Sequence, residues 1–140
     1  MKKLIYAAAA IWLFVLLRIT VFRDGCFSHG LFSGSFEWRA FSFYAGLLRT
    51  GDFGYFAYLF VGNLIWFMPA GFLVRLRGGS FLKAVLAGFL LSLAIELMQF
   101  VLGSGVSELD DLALNTLGAV IGYALGCLAL GVVSRFKKRV

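Results

Sequence analysis

The chain has 140 residues, of which 61% are hydrophobic, 17% aromatic and only 14% charged, and it carries a formal net charge of +6. A soluble domain is about 45–50% apolar and about 25% charged, so this composition excludes a water-soluble fold and makes the bilayer the solvent for most of the chain. The thirteen Lys and Arg residues sit between and beside apolar runs rather than along one polar face, which argues against nucleic acid as a partner and for membrane topology and anionic headgroups.

A membrane span needs about 20 mainly apolar residues, and four runs qualify. The first is Leu4 to Phe22, interrupted by Arg18 and Thr20. It follows Lys2 and Lys3 like a signal peptide, but no small-x-small cleavage site succeeds it, so it reads as an uncleaved span. Next comes the only long connection, Arg23 to Asp52, which holds His29 and Cys26. Its centre, Phe36 to Tyr44, is aromatic, and Trp38, Phe41, Tyr44 and Leu48 recur at near-helical spacing. Because Trp and Tyr favour the headgroup layer, a short helix on the outer leaflet is expected here; an ordered aromatic lid over the bundle is a compatible reading.

The second span is Phe53 to Val74, with Asn63 and with Pro69, which removes a backbone hydrogen bond and is expected to kink the helix. The third is Phe81 to Leu102, with Lys83 early and Glu96 and Gln99 late; the fourth is Leu112 to Val133. The predicted fold is therefore all-α: a polytopic four-transmembrane-helix bundle forming one domain over residues 1–140, with a short interfacial helix in the first external loop. Cys26, in a loop, and Cys127, deep in the last span, are too far apart for a disulfide.

Orientation follows from the positive residues. Lys2, Lys3, Arg75, Arg77, Lys83, Arg135, Lys137, Lys138 and Arg139 fall on one side of a four-span arrangement; Arg23, Arg39 and Arg49 fall on the other, with Asp24, Glu37, Asp52, Glu108, Asp110 and Asp111. Nine against three predicts a multi-pass arrangement with both termini in the cytoplasm and an external turn between the third and fourth spans.

Ionisable groups at membrane depth cost a few kcal/mol and normally face the bundle interior or a water-filled cavity. Glu96 is thus the most informative residue, about six residues, or roughly 9 Å, from the outer end of its span. Gly88, Ser92, Glu96 and Gln99 share one helical stripe; so do Asp111, Asn115, Gly118 and Gly122, and Asn63, Phe67 and Gly71. The three stripes are expected to converge on one externally accessible cavity, with Arg18 at the same level as a partner for Glu96. Simple alternatives remain: cross-helix bonding by Ser92, Gln99 and Asn115, close packing through Gly118, Gly122 and Gly126, and helix capping by Asp110 or Asp111. No zinc-ligand spacing, phosphate-binding glycine loop or nucleophile elbow is present; Glu96 with Asp110 or Asp111 is a weak candidate for a divalent cation. No cofactor is implied.

Asn63-Leu64-Ile65-Trp66-Phe67-Met68-Pro69-Ala70-Gly71 resembles the Asn-x-x-x-Phe-x-Pro-x-Gly signature of VanZ-like membrane proteins. Ser92-x-x-x-Glu96-x-x-Gln99 resembles the second motif of that family, and Asp110-Asp111-Leu112-Ala113-Leu114-Asn115-Thr116-Leu117-Gly118 followed by Gly122-Tyr123 its third. The order and spacing match over about half the chain. The resemblance implies association with low-level resistance to teicoplanin-type glycopeptides. It carries over Asn63, Phe67, Pro69, Gly71, Ser92, Glu96, Gln99, Asp111, Asn115 and Gly118. Many relatives place Arg-x-Phe-Asp before the Asp-Asp pair; here the stretch reads Gly105-Val106-Ser107-Glu108, without the arginine, so a contact that it makes with an anionic ligand in relatives would either be lacking here or be made by Arg18 or an outer-loop arginine.

The leading expectation is a cell-envelope protein whose outward cavity engages membrane lipid, a lipid-linked cell-wall precursor or a lipoglycopeptide. Its ligand-binding residues would be Asn63, Ser92, Glu96, Gln99, Asp111, Asn115 and Arg18, with Glu96 as central anchor. Phe67, Pro69, Gly71, Gly118 and Gly122 would be structural. Two other readings stay open: an intramembrane enzyme acting on a lipid headgroup with Glu96 as general acid or base, and a small transporter or flippase assembled as a homo-oligomer.

Overall fold

The computed structural model describes residues 2–22, 26 and 30–137. Arg23, Asp24, His29, Lys138 and Arg139, used above for charge placement and the loop histidine, lie outside that set. The described chain runs α1 (Lys2–Thr20), β1 (Ser35–Glu37), α2 (Ser42–Thr50), α3 (Phe53–Leu76), α4 (Phe81–Leu102), β2 (Val106–Glu108) and α5 (Leu109–Lys137). α1, α3, α4 and α5 are long and apolar enough to cross a membrane. They turn much of their apolar surface outward: Leu4 is 74% and Phe14 71% exposed. In water that arrangement would be costly; in hydrocarbon it is the expected one, and the protein is a multi-pass membrane protein.

Helix ends follow from local chemistry. Asp52 caps α3 by accepting the Tyr55 N–H at 3.1 Å, and Ser80 caps α4 by accepting the Lys83 N–H at 3.4 Å. Gly103 ends α4 at φ +61°, a left-handed position that glycine adopts without strain. The last carbonyls of α4 have no partner within the helix and are met by neighbouring chain: Phe32 N–H donates to the Val101 carbonyl at 2.7 Å, Gly34 N–H to Phe100 at 3.1 Å and Ser104 N–H to Gln99 at 3.1 Å.

α3 and α5 form the tightest pair. A Cβ at Gly118 would strike the Leu64 backbone, one at Gly122 the Met68 backbone, and one at Gly71 the Ala119 carbonyl. The repeated glycines of the last span are therefore used within the chain, against α3, rather than kept for a second copy. α4 packs on α5, with Gly88 against Ala119. α1 lies at the edge and packs Leu16 with Phe67 and Ile95. α3 continues through Pro69 as one helix. Pro69 cannot donate to the Ile65 carbonyl, and one residue along the Trp66 carbonyl accepts the Trp12 indole N–H at 2.9 Å, tying α1 to α3.

Two features differ from the sequence expectation. The helix in the long connection begins at Ser42, so Trp38 and Phe41 precede it while Tyr44 and Leu48 lie on it. Phe36 instead belongs to a two-stranded parallel pair, with Ser35 opposite Val106, Phe36 opposite Ser107 and Glu37 opposite Glu108. Strands of three residues carry too little alternation to stand out in an aromatic loop. Asp110 organises the junction: its Oδ1 accepts the N–H of Phe41 at 2.7 Å, holding that residue at φ +55° just before α2. Asp110 and Asp111 lie in the first turn of α5, but the Asp110 carboxylate is spent on the loop.

Candidate functional site

The polar stripes meet at the end of the bundle that carries α2 and the strands. Asn63 on α3 donates from Nδ2 to Asp111 Oδ1 on α5 at 2.5 Å and to the Tyr44 hydroxyl on α2 at 3.4 Å. Ser92 on α4 donates to the Asp111 carbonyl at 3.4 Å and accepts from Asn115 Nδ2 at 2.9 Å. Gln99 donates from Nε2 to the Thr20 carbonyl at the end of α1, 3.1 Å away. All five helices are thus joined by side chains that the three stripes place on inward faces.

A cavity of about 470 Å³ opens beside this network. Tyr44, Asn63, Gln99, Glu108 and Asp111 supply its polar wall. Phe43, Tyr55, Tyr58 and Trp66 give it aromatic faces, and Ile19 and Thr20 close it on the α1 side. Gly62 also borders it, and a Cβ there would meet nothing within 4 Å. Gln99 is 8% exposed, and its Oε1 accepts no hydrogen bond from the described residues. Asn115 Oδ1 is in the same condition, but deeper, between α4 and α5.

Glu96 lies elsewhere. It is 4% exposed and does not border the cavity. Its Oε2 accepts the Glu108 N–H at 3.0 Å, while its backbone carbonyl accepts the Ser107 hydroxyl at 2.8 Å. Glu96 therefore anchors β2, the strand that carries Glu108 to the cavity. The expected ion pair between Glu96 and Arg18 is not formed: the Arg18 guanidinium donates to the Phe22 carbonyl, just past the end of α1. The cation-site reading fares no better, because Glu96, Asp110 and Asp111 each turn to a different donor. Among the described residues no group of three His, Cys, Asp or Glu is placed to hold a metal ion.

Tyr44 and Glu108 entered the sequence reading only as an interfacial aromatic and a loop charge. Tyr44 is buried and Glu108 half-buried. Burial first, then the Asp111 carboxylate, raises the Tyr44 phenol above its usual range. Burial, followed by the carboxylates of Asp111, Asp110 and Glu37, raises Glu108 to about 7. An acid whose pKa is higher folded than unfolded binds its proton more readily in the native state, so its contribution favours folding at low pH and is lost as pH rises from about 4.5 through about 7. The melting temperature is expected to be higher at pH 5 than at pH 8, and Glu108→Gln should flatten that difference; a wild-type curve without that fall would contradict the assignment.

At the opposite end lie the basic residues. Arg75 donates from Nε to Cys127 Sγ at 3.1 Å and stands over the Tyr123 ring, while Arg77 covers the Tyr6 ring at 4.9 Å from its centroid. Cys26 and Cys127 are both free thiols. The two ends of the bundle thus differ in charge as the sequence predicts.

Among known families, the model described as VanZ/LLP1 matches residues 3–130. No curated protein and no solved structure matches the chain.

Proposed function

The chain belongs to the VanZ/LLP1 family, and on that premise we propose that it is a bacterial cell-envelope protein that takes a lipid-linked or lipid-tailed amphiphile into an outward-facing cavity, in the context of teicoplanin-type glycopeptide resistance. The observation that carries this reading is the cavity of about 470 Å³ with a polar wall of Asn63, Gln99, Glu108 and Asp111 and an apolar, aromatic wall from α1 and α3. Ligand sites are concave and fix their ligand through a few convergent polar groups. The excess of Lys and Arg at the other end supports cytoplasmic termini by the positive-inside rule and hence an outward cavity. Within this reading Asp111 and Asn63 take the anchoring role, and Glu96 positions the wall.

Gly62→Phe tests the proposal. The side chain would enter the cavity, since a Cβ at Gly62 meets open space, so the bundle should keep its fold. In a susceptible host in which the wild-type chain raises the teicoplanin threshold, Gly62→Phe at equal membrane abundance should remove most of that increase. An undiminished threshold would overturn cavity engagement.

A further inference from the structure

The chemistry of the cavity wall is one-sided. Asp111 and Glu108 contribute carboxylates, and no lysine or arginine is among the described residues that border it. Gln99, more than nine-tenths buried, holds an acceptor, Oε1, that nothing described satisfies. The neutral donor closest to Asp111, Asn63 Nδ2, is already shared between Asp111 and Tyr44. Aromatic faces complete the wall: Tyr55 stacks on Tyr58 with centroids 6.4 Å apart, and Phe43 meets Tyr55 edge to face at 6.4 Å.

An unsatisfied acceptor, two carboxylates with no lysine or arginine among the described lining residues, and aromatic faces together select a particular ligand. A phosphate or carboxylate would meet the like charge of Asp111 and Glu108 with no lysine or arginine among the described lining residues to offset it, and a sugar hydroxyl would leave the carboxylates unneutralised. A cationic donor neutralises the wall, gives Gln99 Oε1 a partner and gains from the aromatic quadrupoles. A quaternary nitrogen would offer no N–H to the amide oxygen.

We propose that the cavity binds a primary ammonium group, with Asp111 and Glu108 as counter-charges, Gln99 Oε1 as acceptor of one N–H, and Tyr55, Tyr58 and Trp66 as the aromatic wall. This rests on the amphiphile reading above for the claim that the ammonium carries an apolar tail; the headgroup chemistry stands separately. It directs attention to aminated headgroups and to amine-bearing, acyl-tailed molecules, and away from a bare diphosphate as the recognised group.

The test uses the full chain in uncharged maltoside micelles, following tryptophan fluorescence, because Trp66 borders the cavity. Dodecylammonium, dodecyl phosphate, dodecanol and methylammonium are titrated in parallel. Wild type should bind dodecylammonium at least about tenfold more tightly than dodecanol, and dodecyl phosphate no better than dodecanol. Asp111→Asn should lose most of that preference, and comparison with wild type cancels partitioning into the micelle. Should Asp111→Asn fail to fold, Gln99→Leu decides: it should weaken dodecylammonium about fivefold or more and dodecanol by clearly less, since a charged donor gains more from the acceptor than a neutral hydroxyl does. Equal binding of dodecylammonium and dodecanol, tighter binding of dodecyl phosphate, or an unaffected Gln99→Leu variant overturns the ammonium assignment while leaving an amphiphile pocket. Methylammonium binding as tightly as dodecylammonium keeps the ammonium and overturns the tail. No response to any of the four overturns both.

Discussion

Gly122→Leu should destabilise the bundle by about 3 kcal/mol or more, among the largest effects expected of a single change at the α3–α5 contact. Even a Cβ at Gly122 would overlap the Met68 backbone of α3. Backbone cannot rotate aside as a flexible side chain can, so the helices must separate. Separation forfeits the van der Waals packing that holds membrane helices together, because lipid tails are as apolar as the side chains and no hydrophobic gain brings helices back. The contact on the other side of Gly71, with the Ala119 carbonyl, would open at the same time. Gly131, on the same helix, is the control: a Cβ there meets nothing within 4 Å, and Gly131→Ala should be neutral or stabilising by up to about 1 kcal/mol. Unfolding titrations in mixed micelles measure both, and equal stability for Gly122→Leu and wild type would contradict the close α3–α5 contact.

The second large effect is expected at Asn63 and Asp111. Their 2.5 Å contact joins α3 to α5 beside the cavity. Removing either partner leaves the other half-buried without its strongest bond, at a cost of about 2 kcal/mol each. Removing both should cost little more than removing one, so a double-mutant cycle with Asn63→Ala and Asp111→Ala should return a coupling of about 1.5 kcal/mol or more. Additive losses would show that the pair is geometrically close but energetically independent. The same variants should also abolish the resistance phenotype expected of the cavity, whereas Gly122→Leu would lower it only in proportion to the folded protein that remains.

Much of this architecture can be read directly from the residues. The long apolar runs place all four spans within a few residues, because hydrocarbon thickness sets helix length and charge is expelled from the interior. The stripes through Asn63, Ser92, Gln99, Asp111 and Asn115 predict which side chains turn inward, and these do meet by hydrogen bonds. Helical periodicity cannot say which inward groups border an opening and which are sealed behind it. Glu96 illustrates the difference: its depth and acidity marked it as the anchor, yet its carboxylate holds the Glu108 backbone. That assignment depends on β2, whose three residues have no period of their own. Tyr44 and Glu108 were hidden for a related reason, since only the pairing of β1 with β2 and the Asp110–Phe41 bond bring their segments to the cavity.

The parallel strand pair also constrains the order in which the site is made. Phe41 must find Asp110, 69 positions later, and Thr20 must find Gln99, 79 positions later. During synthesis the first span and the long loop are therefore present well before their partners emerge. The loop's unpaired N–H groups and aromatic side chains must wait until the last helix has entered the bilayer. Chain growth proceeds at about 5–20 residues per second, so that interval lasts several seconds. Its exposed edges and unfilled wall mark this period as the time when the nascent protein is most open to chaperones, to proteases and to pairing with the wrong neighbour.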